Sequence, residues 1–368
     1  MKKNGPAGFS LSVISAGVIY LFLLLCVGCG GNPTVRNTYA YIAVAPYTSS
    51  SVAQFRVTSD GTLAPLNPPT VAVGSGIVNL VAAPDGNHVF AVQESLNAGV
   101  SDTFLRFSIH NDGTLAPDPV TSPASSGAYP FTLSPDGRFA LVPWGNTVTT
   151  YSVSSSGQFT AASSVPAGND ACTVAIDPAG QFAYVGNFND DTISAYRIAP
   201  DGTLTPNGTI STAPNEVYLL AFSPDGFLYS AGCCQLEGLT EYSIDSSSGA
   251  LTGANYFHGN PFNLPWGFAF NPTGTYAYTA NANAGTFSIS ALAVDKATGT
   301  LTANGTDIPT TGAYQIAVDP TGQFAFAFGG GTVLQFKISS TGTLVPNGEF
   351  PLDAGNGETS GAIAFLQR

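Results

Sequence analysis

The sequence has few charged residues, and few of these are cations. Asp, Glu, Lys and Arg make up 9% of the 368 residues, and 10 Lys and Arg stand against 23 Asp and Glu, for a net charge of −13. A surface with this balance repels a phosphate backbone. We therefore expect no nucleic-acid partner.

Residue patterns that carry chemistry are also scarce. The chain has three His and five Cys. Beyond the N-terminal segment it contains no Cys-x-x-Cys pair, no Gly-rich phosphate loop and no Gly-x-Ser-x-Gly elbow. Zinc, nucleotide and serine-hydrolase sites of those types are therefore not indicated, and we expect no cofactor.

The N-terminus has the layout of a signal peptide. Lys2 and Lys3 precede an apolar run that ends in YLFLLLCVGCGGNP, and such segments are removed from the mature protein. The stretch CVGC, which ends at Cys29, resembles a bacterial lipobox, which implies cleavage before Cys29 and lipidation of its thiol. A plain transmembrane anchor is the alternative.

This interpretation divides the chain into a signal peptide (1–28), a tether (29–38) and a folded domain (39–368). The Cys29 lipid would hold the protein in a membrane of the bacterial cell envelope, in the periplasm or at the cell surface. Cleavage removes two lysines and no acid, which leaves eight cations, 23 acids and a net charge of −15.

Glycine, proline and an internal repeat are abundant. The chain contains 42 Gly and 26 Pro. An apolar strand, a Pro-x-Gly turn and a second strand occur together six times, as in LVAAPDGNHVFAV and VAIDPAGQFAYV. The prolines of this motif recur every 43 to 51 residues and are Pro84, Pro135, Pro178, Pro224, Pro272 and Pro320.

A second motif, a strand, a Gly turn and another strand, occurs seven times, as in SAYRIAPDGTL. Its glycines are Gly61, Gly113, Gly157, Gly202, Gly249, Gly299 and Gly342. Pro presets φ and Gly accepts positive φ, so both turns have a physical basis. Together the two motifs give four short strands in each repeat, which is the unit of a β-propeller blade.

The ends of the chain predict how the ring closes. If the strands are named A to D from the centre outward, six repeats contain A to D in order, but the first, from Tyr39, begins at strand B. The C-terminal stretch SGAIAFLQ matches strand A of the other repeats. We predict an all-β, seven-bladed β-propeller with four-stranded blades, closed by the C-terminal strand pairing into the first blade.

The stretches SPDGRFALV, DPAGQFAYVGNFNDDTISAYRIAPDGTLTP and DPTGQFAFAFGGGTVLQFKISSTGTLVP resemble repeats of the lactonase-type seven-bladed propellers. That family includes bacterial 6-phosphogluconolactonase and is similar to the fungal muconate-lactonizing propeller and to YVTN-type surface repeats. The resemblance covers about residues 39–368. Its motifs are turn and packing residues, so they specify fold better than chemistry.

The resemblance also implies where catalytic residues would lie. Enzymes of the family place His five residues before the proline of some A strands, and use Arg and Glu at the central mouth. Those positions hold Asn79, Pro130, Thr173, Leu219, Gly267 and Gln315. None is His, and we predict surface or packing roles for His88, His110 and His258. This departure argues against lactonase activity.

One face of a propeller carries the B–C and D–A loops around the channel, and the resemblance makes it the ligand face; we call it the mouth. No cation is predicted in its loops. The acids predicted there are Glu94, Asp102, Asp170, Asp190, Asp191, Glu216, Glu237, Asp353 and Glu358. Such a mouth does not suit a phosphate or carboxylate substrate.

Aromatic residues are also predicted at the mouth, and they are Tyr129, Trp144, Tyr218, Trp266 and Tyr314. With Asp170 and Glu216 they would line a pocket for a sugar, peptide or cationic ligand; a packed channel entrance is the alternative. The stretch GNFNDDT offers oxygen atoms of the kind Ca²⁺ takes, without the spacing of an EF-hand. We expect no metal there, with Asp190 and Asp191 as the alternative ligands.

Three cysteines follow Cys29. Cys233 and Cys234 fall in a B–C loop, and Cys172 begins the neighbouring inner strand on the same face. We predict a disulfide from Cys172 to one of the pair, with a vicinal disulfide or buried free thiols as alternatives.

These observations favour a lipid-anchored binding or interaction module that presents its acidic, aromatic mouth to an unknown small molecule or protein. The alternative is a lactone hydrolase with a neutral substrate, in which Glu216 or Asp170 acts as acid and base. A third possibility is an assembly module that uses the sides of its blades.

Overall fold

The computed structural model describes residues 36–44, 50–74, 76–93, 102–123, 131–212, 216–232, 238–259, 261–262, 264–283, 285–352 and 362–368. The predicted signal peptide and Cys29 lie outside these ranges. Within them every regular element is a β-strand, and no helix is long and apolar enough to cross a membrane.

The strands form seven antiparallel sheets, which are the seven predicted blades. The first blade contains β1 (Thr38–Val44), β2 (Ser50–Val57) and β3 (Leu63–Gly74). The second contains β4 (Ile77–Ala82), β5 (His88–Gln93), β6 (Thr103–Ile109) and β7 (Leu115–Pro123). The third contains β8 (Thr132–Leu133), β9 (Phe139–Trp144), β10 (Thr147–Val153) and β11 (Phe159–Pro166). The fourth and fifth contain β12 (Ala171–Ile176), β13 (Phe182–Asn187), β14 (Thr192–Ile198), β15 (Leu204–Ser211), β16 (Leu219–Phe222), β17 (Leu228–Gly232), β18 (Gly238–Ile244) and β19 (Leu251–His258). The last two contain β20 (Pro265–Phe270), β21 (Tyr276–Asn283), β22 (Thr286–Val294), β23 (Leu301–Ala303), β24 (Ile308–Thr310), β25 (Gln315–Val318), β26 (Phe324–Gly329), β27 (Thr332–Ile338) and β28 (Leu344–Pro351).

The ring closes as the sequence predicts. The last strand, β29 (Ile363–Gln367), pairs antiparallel with β1, in register from Thr38 opposite Gln367 to Ile42 opposite Ile363. It is the innermost strand of the first blade, in the order β29-β1-β2-β3. The final residue extends this closure, because the Arg368 guanidinium donates to the carbonyl oxygens of Gly86, Ile109 and His110 in the second blade.

The sixth blade departs from the predicted pattern. Its outer strand is divided into β23 and β24, which both pair with β22. The residues between them leave the ladder, and the N–H of Asn304 donates to the Ala291 carbonyl across the sheet. The other six sheets have four strands each.

The A–B turns are closed by side chains as well as by the Pro-x-Gly sequence. All six turn glycines have positive φ, between 69° and 92°. The residue before the proline accepts hydrogen bonds from the start of the next strand: Asp177 Oδ1 accepts from Gln181 and Phe182 N–H, both at 2.6 Å. The turn of the fourth blade is therefore closed by its own side chain.

The apolar core lies between the blades. Buried residues form seven clusters, and each joins two neighbouring sheets around the ring. An aromatic residue recurs at one position of strand C and is buried there, and these residues are Phe55, Phe107, Tyr151, Tyr196, Tyr242 and Phe336. Burial between blades, repeated seven times, supplies the hydrophobic stabilisation of the fold.

Candidate functional site

Backbone hydrogen bonds join the mouth loops of the third and fourth blades. Ala171 N–H donates to the Gly145 carbonyl at 2.7 Å, and Phe188 N–H donates to the Asp170 carbonyl at 2.9 Å. Asp170 has a φ of +58°, in the left-handed region that residues other than Gly seldom adopt. Its side chain is therefore presented from an ordered, locally strained turn.

Two repeat positions near the inner strands carry most of the predicted site residues. The position six residues before the A–B proline holds Cys172, Tyr218, Trp266 and Tyr314 in the fourth to seventh blades. The position eight residues before it holds Asp170 in the fourth blade and Glu216 in the fifth. Both carboxylates thus occupy one repeat position in adjacent blades, where the sixth and seventh blades have Leu264 and Gly312.

The junction between these two blades is tightly connected. The Cys172 thiol donates to the Val217 carbonyl at 3.1 Å, and the Leu220 N–H donates to Thr173 Oγ1 at 3.3 Å. Asp170 lies two residues before Cys172, and Glu216 immediately precedes Val217. The structure therefore places both carboxylates beside one inter-blade junction at the mouth.

Three of the predicted aromatic residues come together. Tyr218 and Trp266 have ring centroids 5.2 Å apart, and Trp266 and Tyr314 have centroids 6.2 Å apart. Phe287, at the start of β22, extends the row with its centroid 5.1 Å from that of Tyr314. We call Tyr218, Trp266, Tyr314 and Phe287 the aromatic arc; it spans the fifth to seventh blades.

The other two predicted aromatic residues are not in the arc. Trp144 ends β9 in the third blade and is 39% exposed, two blades away from Tyr218. Tyr129 lies outside the described residues, so its place at the mouth stays a prediction. Phe287 was not predicted, because its sequence position resembles that of the many aromatics that begin packed strands.

The positions at which the family's enzymes have His are used here for packing contacts. The Asn79 side-chain amide donates to the Phe131 carbonyl at 2.8 Å, which links the second and third blades. Thr173 performs a similar task between the fourth and fifth blades. The three His lie at or beside strand ends: His88 begins β5, His110 follows β6 and His258 ends β19.

Asp190 and Asp191, the alternative metal ligands in the fourth blade, take part in hydrogen bonds within the protein. Asp190 Oδ2 accepts the Asn169 N–H at 2.7 Å, and the Asp191 carbonyl accepts the Thr212 N–H at 2.8 Å. Among the described residues no three His, Cys, Asp or Glu side chains lie close enough together to hold a metal ion.

Cys172 is a buried free thiol in the structure and not a partner in the predicted disulfide. Its sulfur is used instead in the hydrogen bond to Val217. Burial, with a smaller contribution from the charge of Asp170, raises the pKa of this thiol to about 12, so it is no nucleophile at neutral pH. Cys233 and Cys234 lie outside the described residues, and their vicinal pairing stays a prediction.

Described cations lie away from the mouth, as predicted. Arg138 and Arg197 donate to the carbonyls of Pro200 and Ser247 in C–D turns, and Lys296 pairs with Asp225 in an A–B turn at 3.2 Å. Arg106 pairs with Asp118 between β6 and β7. The described mouth loops therefore carry acids and aromatic rings without a basic side chain.

A cavity of about 460 Å³ opens on the opposite face, between the A–B turns of the fourth and fifth blades. A smaller one of about 310 Å³ occupies the corresponding place between the third and fourth blades. The acids beside the larger cavity are engaged, Asp177 by its own turn and Asp225 by Lys296. Because equivalent cavities lie between successive blades, we interpret both as grooves that the repeated architecture produces.

Comparisons with known proteins agree with this fold. The family model described as "Lactonase, 7-bladed beta-propeller" matches residues 30–255. A provisionally assigned 6-phosphogluconolactonase from Bacteroides uniformis has a TM-score of 0.74 at 20% identity, with 90% of this chain and 99% of that chain covered. The periplasmic gluconolactonase of Pseudomonas aeruginosa has a TM-score of 0.72 at 17% identity, with 90% and 99% covered.

At these identities the solved structures establish the fold alone. Comparison with curated protein sequences gives no match.

Proposed function

Because the chain belongs to the lactonase family of seven-bladed β-propellers, we propose that it hydrolyses an uncharged lactone at the mouth. Asp170 and Glu216 are its acid–base carboxylates. The observation that carries this assignment is their shared repeat position in adjacent blades, beside the junction made by Cys172 and Val217. Family membership and the two lactonase-named neighbours support hydrolysis better than the binding role favoured by the sequence.

The chemistry requires only proton transfer and a positioned water. A bond forms between the water oxygen and the lactone carbonyl carbon, the ring C–O bond breaks, and one proton passes from the water to the released ring oxygen. A carboxylate can take that proton and return it to the leaving oxygen. No His is needed for this sequence, in keeping with Asn79 and Thr173 at the family's His positions.

The charge of the mouth selects the substrate. Asp170, Asp190, Asp191 and Glu216 lie in its loops in the fourth and fifth blades, and the described cations named above lie elsewhere. An uncharged lactone enters without repulsion, whereas hydrolysis creates a carboxylate that the acids repel. The acidic mouth therefore disfavours phosphorylated lactones and speeds product release.

The test is a pH-stat assay of the purified protein on glucono-1,5-lactone, its 6-phosphate and an acyl-homoserine lactone, with spontaneous hydrolysis subtracted. We expect turnover of the neutral sugar lactone and a kcat/KM at least about tenfold lower for the phosphate, roughly 1.4 kcal/mol of discrimination. Preference for the phosphate would refute the charge argument. Absence of turnover on every lactone would refute hydrolysis and favour a binding module, which the exposed aromatic arc would suit.

We also propose that a lipid on Cys29 tethers the protein to the bacterial cell envelope, with the CVGC stretch as its support. The Cys29→Ala variant should then appear in the soluble fraction, while the parent protein stays with the membranes. Equal membrane retention of the two proteins would contradict the tether.

A further inference from the structure

Exposed aromatic side chains are concentrated at the mouth. Among the described residues the exposed large apolar side chains are Trp144, Tyr218, Tyr256, Tyr314 and Val345. Three of these five lie at the mouth, and Tyr218 and Tyr314 are 40% and 39% exposed within the aromatic arc. Because large apolar side chains are normally buried, such a concentration marks a contact surface.

The rings of the arc are nearly perpendicular to one another. The planes of Tyr218 and Trp266 meet at 63°, those of Trp266 and Tyr314 at 77°, and those of Tyr314 and Phe287 at 78°. Perpendicular rings form the adjoining walls of a corner. A flat sugar ring is better matched by one broad platform, whereas a compact, roughly spherical group contacts two or three walls at once.

Negative charge lies next to these walls. Glu216 is two residues before Tyr218, and only the buried Val217 separates them in the chain. The ring quadrupole also presents negative charge at each face. Together the rings and the carboxylate favour a cation as the ligand.

We propose that the aromatic arc binds an alkylammonium cation, of which the quaternary trimethylammonium group is the best-fitting example. Trp266 forms the central wall, Tyr218 and Tyr314 form the flanking walls, and Glu216 supplies the counter-charge. Aromatic rings recognise quaternary ammonium groups through the attraction of the cation to the ring faces. This site needs no catalytic step; it shares Glu216 with the proposed hydrolytic site, while its aromatic walls have no role in hydrolysis.

The two tryptophans of the chain provide a direct probe. The Trp144→Phe variant retains Trp266 alone, so its emission reports on the centre of the arc. Choline chloride is titrated into this protein at constant ionic strength, in parallel with 3,3-dimethylbutan-1-ol, which has the same shape without the charge. We expect a saturable change in Trp266 emission with choline and binding of the neutral alcohol that is at least about tenfold weaker.

Matched variants in the same background locate the site. Tyr218→Leu and Tyr314→Leu should each weaken choline binding about fivefold, and Tyr218→Phe and Tyr314→Phe should largely retain it because the ring remains. Tyr256→Leu is the control, since Tyr256 is equally exposed at 37% but lies on β19 and stacks on His258. It should leave binding unchanged.

Three results would overturn the proposal. These are no saturable response to choline, equal affinity for choline and the neutral alcohol, or equal losses in the Tyr218, Tyr314 and Tyr256 variants. Lactone turnover measured on the parent protein and on the same variants separates the two proposals, because lactone turnover by a parent protein that does not bind choline refutes only the cation site.

Discussion

Glu241 is a buried acid at a position where two other blades have an amide. It precedes the strand C aromatic Tyr242, as Gln54 precedes Phe55 and Gln335 precedes Phe336. Gln335 Oε1 accepts the Leu63 N–H of the next blade at 2.7 Å, and Gln54 Oε1 accepts the Leu115 N–H in the same way. Glu241 is 1% exposed, and its Oε1 has no hydrogen-bond partner among the described residues.

This arrangement makes stability depend on pH. Burial raises the pKa of Glu241 above its usual value of 4.5, while hydrogen bonds from Asn255 and Ser243 act in the opposite direction. Above pH 4.5 the unfolded chain loses this proton before the folded protein does. The folded protein therefore binds more protons in that window, and its stability falls as pH rises from 4.5 through the raised pKa.

We expect Glu241→Gln to raise the free energy of unfolding at pH 7 by about 1 kcal/mol, the order of one poorly satisfied buried polar group. The variant should also lose the decline above pH 4.5 and match the parent at pH 4. Urea unfolding at several pH values measures this. Glu349→Gln is the control, because Glu349 is exposed on β28; the same gain in both variants would contradict a role for burial.

The turn acids act with the opposite sign. Hydrogen bonds from Thr58 and Thr62 lower the pKa of Asp60 to about 2, and those from Ser247 and Ser248 lower that of Asp245 to about 2. Their stabilising contribution is present above the unfolded value of 3.8 and is lost as pH falls toward 2. In the same urea series we expect the free energy of unfolding to fall below pH 4. In the double variant Asp60→Asn/Asp245→Asn this fall should be smaller.

At the scale of elements, neighbouring blades are joined through the C–D turns. The aromatic side chain at the start of strand B packs on the C–D turn glycine of the next blade. A second aromatic residue of strand B donates a hydrogen bond to the carbonyl of that glycine. Tyr184 donates its hydroxyl to the Gly249 carbonyl at 2.8 Å, while Phe182 lies against Gly249 itself. Tyr41, Tyr229 and Tyr278 make the same bond to Gly113, Gly299 and Gly342.

Gly249→Ala should destabilise the protein by about 3 kcal/mol. Gly249 has a φ of +73°, which costs an L residue about 1 kcal/mol, and an added Cβ would lie 2.1 Å from Phe182 Cδ1, which adds an overpacking cost of about 2 kcal/mol. Thermal and urea unfolding measure the sum.

Gly253→Ala separates the two costs. Gly253 has a similar φ of +63° in the following strand, but nothing lies within 4 Å of its added Cβ. We expect a loss of about 1 kcal/mol. Equal losses in the two alanine variants would show that the inter-blade contact contributes little.

For the whole molecule, closure depends on the last six residues. β29 supplies the inner strand of the first blade, and Ala364 and Leu366 are buried in the core between the first and second blades. The Arg368 side chain then holds the A–B turn of the second blade through the Gly86 carbonyl at 2.6 Å and Asn87 Oδ1 at 3.0 Å.

Deletion of residues 363–368 should abolish cooperative unfolding and expose β1 as an open edge.

Arg368→Ala should lower the free energy of unfolding by about 2 kcal/mol while the ring stays closed, the order of a few partly exposed charge-assisted hydrogen bonds. Calorimetry and size-exclusion chromatography check both. Arg36→Ala is the matched control for a terminal exposed cation, and an intact, cooperative truncation would contradict closure by β29.

The blade count and the closure could be predicted because Pro-x-Gly turns mark six A–B pairs and Gly turns mark seven C–D pairs, which leaves one repeat without an A strand. The grouping of Tyr218, Trp266 and Tyr314 could be predicted only as a shared face. Their contact depends on how the inner strands are aligned around the propeller. All three residues lie six positions before an A–B proline, but this spacing indicates a contact only when the arrangement of the blades is known.

Other features had no distinctive sequence signal. Phe287 looks like any packing aromatic at the start of a strand. Cys172 looked like a disulfide partner because its face was correct, but a thiol can also donate to a carbonyl across a blade junction, as it does to Val217. The division of the sixth outer strand depends on local pairing, which the turn motifs do not report.

The most direct test of the proposed chemistry is the turnover of glucono-1,5-lactone by Asp170→Asn/Glu216→Gln, with Glu349→Gln as the matched control. We expect kcat to fall at least about 100-fold in the double variant, the usual contribution of general acid–base catalysis, with normal turnover in the control. Both proteins must show parental unfolding midpoints. Full activity in the folded double variant would contradict the assignment of catalysis to the mouth carboxylates.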